Sequence, residues 1–147
     1  DNEQIANMQK QTGFTLIEIL VTVIVLSIGL LGLAGLQATS LKFNSTAYQR
    51  SQATSLAYDI ADRMRANVVV ARAGNYDIAL GAAAPTGTTP AAIDLQEWRR
   101  ALTNTLPSGT GSIDSVTNSP VFTIIIQWDD DRDATTQAQL FQMDTQL

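Results

Sequence analysis

Cysteine and histidine are both absent from this 147-residue chain, and each absence excludes a class of chemistry. Without cysteine there is no disulfide framework, thiol nucleophile or zinc–cysteine site. Without histidine the chain lacks the commonest general base and the commonest metal ligand. Lysine occurs only at Lys10 and Lys42, so catalysis would have to rest on carboxylates, hydroxyls or those two amines. We therefore expect a protein that is not an enzyme and that binds no metal ion or other cofactor.

Clustered positive charge is missing as well. Nine Lys and Arg residues stand against fourteen Asp and Glu residues, which gives a formal net charge of −5. Contacts to phosphate groups need clustered cations, so no nucleic-acid partner is predicted. A basic patch for DNA or a partner could be formed by Arg99 and Arg100, with Arg63, Arg65 and Arg72 elsewhere in the chain. Salt bridges on helix faces with Asp59, Asp62 and Glu97 explain these arginines better.

All charge is missing from a long apolar segment near the N-terminus. The residues from Ile19 to Leu36 are 18 consecutive uncharged residues, mostly Leu, Ile and Val. This is close to the minimum for a helix that crosses a bilayer core of roughly 30 Å. Glu18 directly precedes the segment, and a charge inside a membrane costs at least ~2.5 kcal/mol on insertion scales. Glu18 is therefore a candidate functional residue.

Three glycines of this segment, Gly29, Gly32 and Gly35, are spaced by three residues. Such spacing allows a second helix to approach closely, although glycine is also common in membrane helices. A cleaved secretory signal peptide and a plain membrane anchor are alternatives, but neither explains Glu18. The positive charges on the two sides of the segment do not decide its orientation.

The segment continues without a break into a second helical pattern, because no Gly or Pro lies between Gly35 and Gly74. Apolar and small residues recur from Phe43 to Met64 mostly at steps of three, four and seven, which predicts an amphipathic helix with an alanine-rich stripe. A single helix from Phe14 to Asn67 would be ~80 Å long. Its first half needs lipid or a helix bundle, and the stripe of its second half should pack on a soluble domain.

The rest of the chain predicts one shorter helix and a small sheet. The helix begins at Pro90 and ends near Leu106, after a surface loop over Gly81–Pro90. The strands are Ser112–Thr117, Val121–Trp128 and Gln137–Met143, with a weaker one at Tyr76–Leu80. Short turns between adjacent strands predict an antiparallel meander and hence an α+β fold. We expect residues 1–13 to be a leader, 14–36 the transmembrane or assembly half of the helix, and 37–147 a globular domain.

Two further features favour structural interpretations. The acidic stretch Asp129–Asp133 resembles a calcium loop, but an EF-hand needs Gly and Glu where Ala134 and Leu140 stand, so a solvated turn is favoured over a weak calcium site. Trp98 and Trp128 are expected in the core rather than in a sugar-binding platform. Residues 1–7, which precede the internal Met8, are expected to be an addition or to reflect an upstream start.

The residues Gly13–Glu18, which read Gly-Phe-Thr-Leu-Ile-Glu, follow a short leader with Lys10 and precede the apolar segment. This arrangement resembles the class III signal of type IV prepilins. Five further segments resemble minor pilins of the PilV type. They are Ile28–Gln37, Arg50–Asn67, Asp94–Trp98, Leu106–Gly109 and Phe122–Trp128. Such proteins often carry cysteines, which are absent here, so the loop structure over Ala71–Ile93 is not predicted.

The resemblance implies the type IV pilin fold and a processing step. A prepilin peptidase in the bacterial inner membrane would cut between Gly13 and Phe14 and methylate the new amine of Phe14. The leader would be cytoplasmic and the globular domain periplasmic, until the protein enters the pilus fibre or its tip. In a bundle of similar helices, Glu18 of one subunit would pair with the Phe14 amine of its neighbour and set the axial register. The alternative is that Glu18 pairs within its own chain or reaches the membrane interface.

The resemblance also implies a function. It indicates a minor pilin that takes part in the initiation of pilus assembly or in the tip complex, and so in cell motility. Its partners would be the prepilin peptidase, other minor and major pilins through the N-terminal helix, and a tip adhesin. The closest alternative is a minor pseudopilin of type II secretion. An alternative of another class is a membrane-anchored periplasmic enzyme or binding module, which the lack of histidine and cysteine disfavours.

Overall fold

The computed structural model describes residues 13–116, 119–129 and 138–147. The chain divides into an N-terminal unit that ends at Lys42 and a C-terminal unit, Phe43–Leu147. Its elements are α1 (Leu16–Ala66), α2 (Val68–Arg72), α3 (Pro90–Thr105), β1 (Thr110–Ser115), β2 (Val121–Trp128) and β3 (Gln139–Gln146). The three strands form one antiparallel sheet in the order β1-β2-β3. This architecture confirms the predicted α+β class, with a long N-terminal helix and a small sheet.

The long helix α1 spans 51 residues and passes from the N-terminal unit into the C-terminal unit. Its bounds confirm the single helix predicted from Phe14 to Asn67. Asn67 interrupts it, with φ −127° and ψ 42°, and α2 follows directly. Gly74, at φ 78°, lies just beyond α2 in the left-handed region, a conformation that glycine adopts without strain.

The buried stripe of α1 is shorter than the sequence predicts. Its buried residues are Ala53, Ala57, Ile60, Ala61 and Met64. Phe43, where the predicted stripe begins, is 71% exposed, so that part of the prediction is wrong. The reason is that periodicity shows which side of a helix is apolar, whereas burial also requires an element to pack against. The first residue of α1 that belongs to the buried core is Ala53.

The central strand β2 has the bounds that its apolar run predicts. Its side chains alternate between buried and half-buried, as expected for a strand with one face on the core. The predicted strand at Ser112 begins two residues earlier, at Thr110, because pairing with β2 continues to Gln127. The predicted strand over Tyr76–Leu80 is wrong as an extended element, since only Ile78 bridges to Ile113.

The last strand β3 lies at Gln139–Gln146 and extends further than the predicted Gln137–Met143, because its pairing with β2 continues to Val121. Its half-buried side chains alternate with exposed ones, as the sequence pattern predicts. Three predictions fall outside the described residues. They are the end of the first strand at Thr117, the start of the last strand at Gln137, and the acidic stretch beyond Asp129.

Helix α3 starts at Pro90, as predicted. The hydroxyl of Thr89 caps it by accepting a hydrogen bond from the backbone N–H of Ala92 at 3.3 Å. Trp98 on α3 is fully buried and donates its indole N–H to the carbonyl oxygen of Leu56 on α1 at 3.0 Å. Trp128 on strand β2 of the sheet is buried as well, so both tryptophans are core residues, as expected. The resulting core joins α1, α3 and the sheet.

Candidate functional site

The start of α1 is a capped helix N-terminus. Gly13, Phe14 and Thr15 precede the first helical residue, Leu16. The hydroxyl oxygen of Thr15 accepts a hydrogen bond from the backbone N–H of Glu18 at 3.3 Å. Thr-x-x-Glu at this position is the spacing of a capping box, in which Thr and Glu stabilise the unpaired backbone groups of the first turn. This role of Thr15 was not predicted, although its three-residue spacing to Glu18 was the signal that could have revealed it.

Glu18 thus lies in the first turn of α1, where a negative charge is favourable because the helix N-terminus is partly positive. Its carboxylate makes no ion pair within the described residues. The structure brings Phe14 and Glu18 together, since both line one shallow groove on the helix with Ile19, Thr22 and Val23. The two residues that the sequence singled out therefore share one surface at the start of α1.

The polar side chains after Glu18 are satisfied inside the helix. The hydroxyl of Thr22 donates to the carbonyl oxygen of Glu18 at 2.6 Å, and that of Ser27 to the carbonyl oxygen of Val23 at 2.7 Å. Hydrogen bonds of this kind remove the penalty for placing a hydroxyl in an apolar medium. By length and composition α1 could cross a membrane, and in this stretch Glu18 is the polar side chain that still needs an external partner.

The apolar surface of this stretch is open. Every residue from Gly13 to Lys42 is exposed, and Phe14 is 80% exposed. A Cβ atom added at Gly13, Gly29, Gly32 or Gly35 would meet no atom within 4 Å. Packing among the described residues therefore does not require glycine at these four positions. Their surroundings are free for another molecule, such as a second helix that packs closely against α1.

The charged groups of the C-terminal unit are mostly structural. Arg63 of α1 forms ion pairs with Asp59 at 3.1 Å, with Asp94 at 3.1 Å and with Glu97 at 2.6 Å, so it ties α1 to α3. These ion pairs raise the pKa of Arg63 further above its usual value. Tyr76 donates to the other oxygen of Asp94 at 2.6 Å. Burial, followed by this hydrogen bond, raises the pKa of Tyr76 to about 12.

The predicted surface salt bridges are confirmed for Arg63 and for Arg65, which pairs with Asp62 at 2.6 Å. The prediction is wrong for Arg99, which is buried and donates to the carbonyl oxygen of Ala79 at 2.9 Å and to the hydroxyl of Thr110. Burial lowers the pKa of Arg99. Among the described residues, no three carboxylates are grouped so that they could hold a metal ion.

Comparison with known protein families gives two matches. Residues 8–34 match the prokaryotic N-terminal methylation motif, and residues 35–98 match the family of type IV pilin Tt1218. The first match contains Gly13, Phe14, Glu18 and two of the exposed glycines, Gly29 and Gly32, and the second contains the rest of α1 and α3 up to Trp98. No curated protein and no solved structure matches the chain.

Proposed function

The chain belongs to the type IV pilins, and from this premise we propose that it is a minor pilin that acts in the initiation of pilus assembly or in the tip complex. The family matches point to a structural protein rather than an enzyme. The observation that carries the proposal is the exposed apolar surface of α1 from Leu16 to Leu41, with one carboxylate, Glu18, in its first turn. The minor role is supported by the five segments that resemble PilV-type pilins.

The first step of the proposed pathway is cleavage by a prepilin peptidase between Gly13 and Phe14. Both residues are exposed and precede the helix, so the peptide bond between them is not protected by helical hydrogen bonds. Hydrolysis leaves a carboxylate on Gly13 and an amine on Phe14, which is then methylated. Because no contact among the described residues requires glycine at position 13, its presence is explained better by recognition in the peptidase than by packing.

The second step is assembly through α1. Cleavage creates a cationic amine four residues before Glu18, at the head of an apolar helix. A buried carboxylate is tolerated when it has a partner of opposite charge, and removal of one partner is strongly destabilising. We assign Glu18 of one subunit to the Phe14 amine of its neighbour, a contact that sets the axial register. The groove shared by Phe14 and Glu18 would also allow pairing within one chain.

The proposed location rests on the apolar half of α1, which is long enough to span a membrane, and, for its orientation, on the resemblance to type IV pilins. The apolar half of α1 holds the protein in the inner membrane, with the C-terminal unit in the periplasm, before it enters the fibre or its tip. Its proposed partners are other minor and major pilins, which contact α1, and a tip adhesin.

Deletion of the gene in the source bacterium tests the function. The minor-pilin role predicts loss or strong reduction of surface pili and of twitching motility, restored by the gene in trans. Normal piliation and motility would contradict the proposal. Lost secretion of exoproteins with normal pili would instead indicate the type II secretion pseudopilin.

Glu18→Ala tests the register contact. We expect the variant to insert in the membrane and to be processed normally, but to be strongly depleted from sheared pili. Immunoblots of membranes and pili measure the distribution, and mass spectrometry of the N-terminal peptide measures cleavage and methylation. Glu18→Gln, which keeps the shape, should fail in the same way because the charge is required.

Two controls separate this role from others. Ser27→Ala changes another polar residue of the same helix and should assemble normally. Thr15→Ala removes the helix cap without removing the carboxylate. If Thr15→Ala fails as severely as Glu18→Ala, helix capping and not pairing between subunits explains the defect. Entry of Glu18→Ala into fibres at the normal level would rule out the register contact.

A further inference from the structure

Strand β3 forms an edge of the sheet. It pairs with β2 over all eight of its residues, in continuous register from Gln139 to Gln146 and without a bulge. No strand within the described residues lies on its other side. The outer edge of β1, in contrast, is partly closed by Ile78, which exchanges two backbone hydrogen bonds with Ile113 at 2.9 and 3.0 Å.

The direction of the unpaired backbone groups of β3 follows from the ladder. Leu147 donates its backbone N–H to the carbonyl oxygen of Pro120 at 3.0 Å, in register with the β2–β3 pairs. Because hydrogen-bonded and non-hydrogen-bonded pairs alternate in an antiparallel ladder, every second residue from Leu147 backwards bonds to β2. The residues whose N–H and C=O groups face the open side are Leu140, Gln142, Asp144 and Gln146.

This edge lacks the features that usually protect one. Exposed edge strands are normally protected by lysine, proline, a bulge or short length. The sequence of β3, Gln-Leu-Phe-Gln-Met-Asp-Thr-Gln, contains no Lys, Arg, Pro or Gly. Its single charge, Asp144, accepts a hydrogen bond from the hydroxyl of Thr123 on β2 at 2.8 Å. The open edge therefore has the backbone chemistry that an added strand requires.

A groove of about 270 Å³ runs beside this edge, between α1 and β3. It is lined by Arg50 and Thr54 of α1, Trp128 of β2, and Leu140, Phe141 and Gln142 of β3. The aromatic residues give it an apolar floor. The guanidinium of Arg50 makes no ion pair within the part of the chain that the structure describes. The groove thus complements an apolar side chain that is accompanied by a carboxylate.

We propose that the open edge of β3 binds an extended strand of another pilin subunit, by addition of that strand to the sheet. The strand directs an apolar side chain onto Phe141 and a carboxylate onto Arg50. Backbone hydrogen bonds supply the affinity in such complexes, and the side-chain pockets supply the specificity. That the partner is a pilin rests on the proposed function, whereas the edge and the groove do not depend on it.

A second copy of this chain fits the site less well. If two β3 strands paired antiparallel in one continuous sheet, each would turn the same face toward the groove of the other. The side chains on that face are Gln139, Phe141, Met143 and Thr145, which include no carboxylate. Within the described residues, this face of β3 therefore offers Arg50 no counter-charge in either copy. The occupant is therefore a strand of different sequence.

Peptide binding to the full chain in detergent micelles tests the proposal. The probe is a fluorescent, end-capped peptide, Thr-Val-Thr-Glu-Thr-Val-Thr, and its matched control has Lys in place of Glu. Fluorescence anisotropy should show saturable binding, with the Glu peptide about two- to fivefold tighter, as expected for an exposed charge pair. Arg50→Glu should reverse this preference.

Two edge variants show whether binding uses the backbone of β3. Gln142→Pro removes an N–H group that faces the open side and leaves the ladder to β2 intact, so both peptides should bind about fivefold more weakly or worse. Leu140→Lys places a positive charge on the edge at a side chain that is already 54% exposed, and it should weaken binding of the Lys peptide. Tryptophan fluorescence during unfolding shows whether each variant is folded.

Three outcomes would overturn the proposal. The first is that neither peptide shows saturable binding. The second is that both edge variants are folded and bind the peptides as the unchanged protein does, and the third is that the full chain self-associates and Gln142→Pro abolishes this self-association. The last would assign the edge to a second copy. Because peptide binding requires no pili, failure here leaves the minor-pilin role intact, and normal piliation in the deletion strain leaves the binding site intact.

Discussion

The two parts of α1 place their apolar residues in opposite environments. In the N-terminal unit every apolar side chain from Phe14 to Leu41 is exposed. In the C-terminal unit the apolar stripe from Ala53 to Met64 is buried against α3 and the sheet. Exposed apolar surface of such extent marks a site for a membrane or for other proteins. The same helix therefore needs partners outside the chain in its first half and has them within the chain in its second.

The glycines show the same difference. Gly29, Gly32 and Gly35 of the N-terminal unit have open space where a side chain would stand. At Gly111 of the C-terminal unit, a Cβ would lie 2.6 Å from the Trp98 ring and 2.9 Å from the carbonyl oxygen of Ile125. Packing within the chain therefore requires glycine at Gly111. It does not require glycine at the three positions of the N-terminal unit.

The largest effect is expected for Ile60→Ala, which creates a cavity in the core of the C-terminal unit. It should reduce the free energy of unfolding of that unit by about 3 kcal/mol. The matched variant Ile24→Ala, at a side chain that is 51% exposed, should leave it unchanged. Urea unfolding in detergent, followed by tryptophan fluorescence, reports on the C-terminal unit because Trp98 and Trp128 both lie in its core. Equal destabilisation by both variants would contradict the division.

Gly111→Ala should destabilise the C-terminal unit by about 2 kcal/mol, since the added methyl group forces the Trp98 ring or the β2 backbone to move. Gly32→Ala is the matched control, and it should leave the same unfolding transition unchanged. If Gly32→Ala nevertheless reduces incorporation into pili, the open space at Gly32 is used by a neighbouring helix. A normal unfolding midpoint for Gly111→Ala would show that the close contact is not tight in solution.

The smallest effect is expected for Tyr76→Phe, about 1 kcal/mol at neutral pH, because one hydrogen bond to Asp94 is lost. The pKa of Tyr76 is raised to about 12, above its usual value near 10 in the unfolded chain. Its stabilising contribution is therefore complete below pH 10 and is lost as the pH rises toward 12. The urea midpoint of the unchanged protein should fall over this range, and Tyr76→Phe should show a smaller fall. Tyr58→Phe, at an exposed residue, is the control. If it made the fall of the urea midpoint with pH smaller by as much as Tyr76→Phe does, the assignment to Tyr76 would be contradicted.

Much of the fold could be predicted from local signals. Helix α1 followed from apolar periodicity and from the lack of Gly and Pro, and α3 followed from its initial Pro90. Strand β2 followed from its apolar run. The candidate site was predicted as far as Phe14 and Glu18, but the cap formed by Thr15 was overlooked, although it too is a local signal.

The predictions that proved wrong concern contacts between distant residues. The stripe of α1 was predicted to begin at Phe43, since periodicity marks the apolar side but not where another element meets it. Arg99 was placed in a surface salt bridge, whereas the fold buries it beside Ala79 and Thr110. The strand expected around Ile78 is reduced to a single bridge to Ile113.

The sequence by itself determined the start and extent of α1, the Gly-Phe-Thr-Leu-Ile-Glu motif and the position of the central strand, because each depends on residues within a few turns of one another. Only the tertiary structure decided which turns of α1 are buried, and that β3 is an open edge beside a groove with Arg50. Residues such as Arg50 and Leu140, 90 positions apart in the chain, come together through packing that no local pattern encodes.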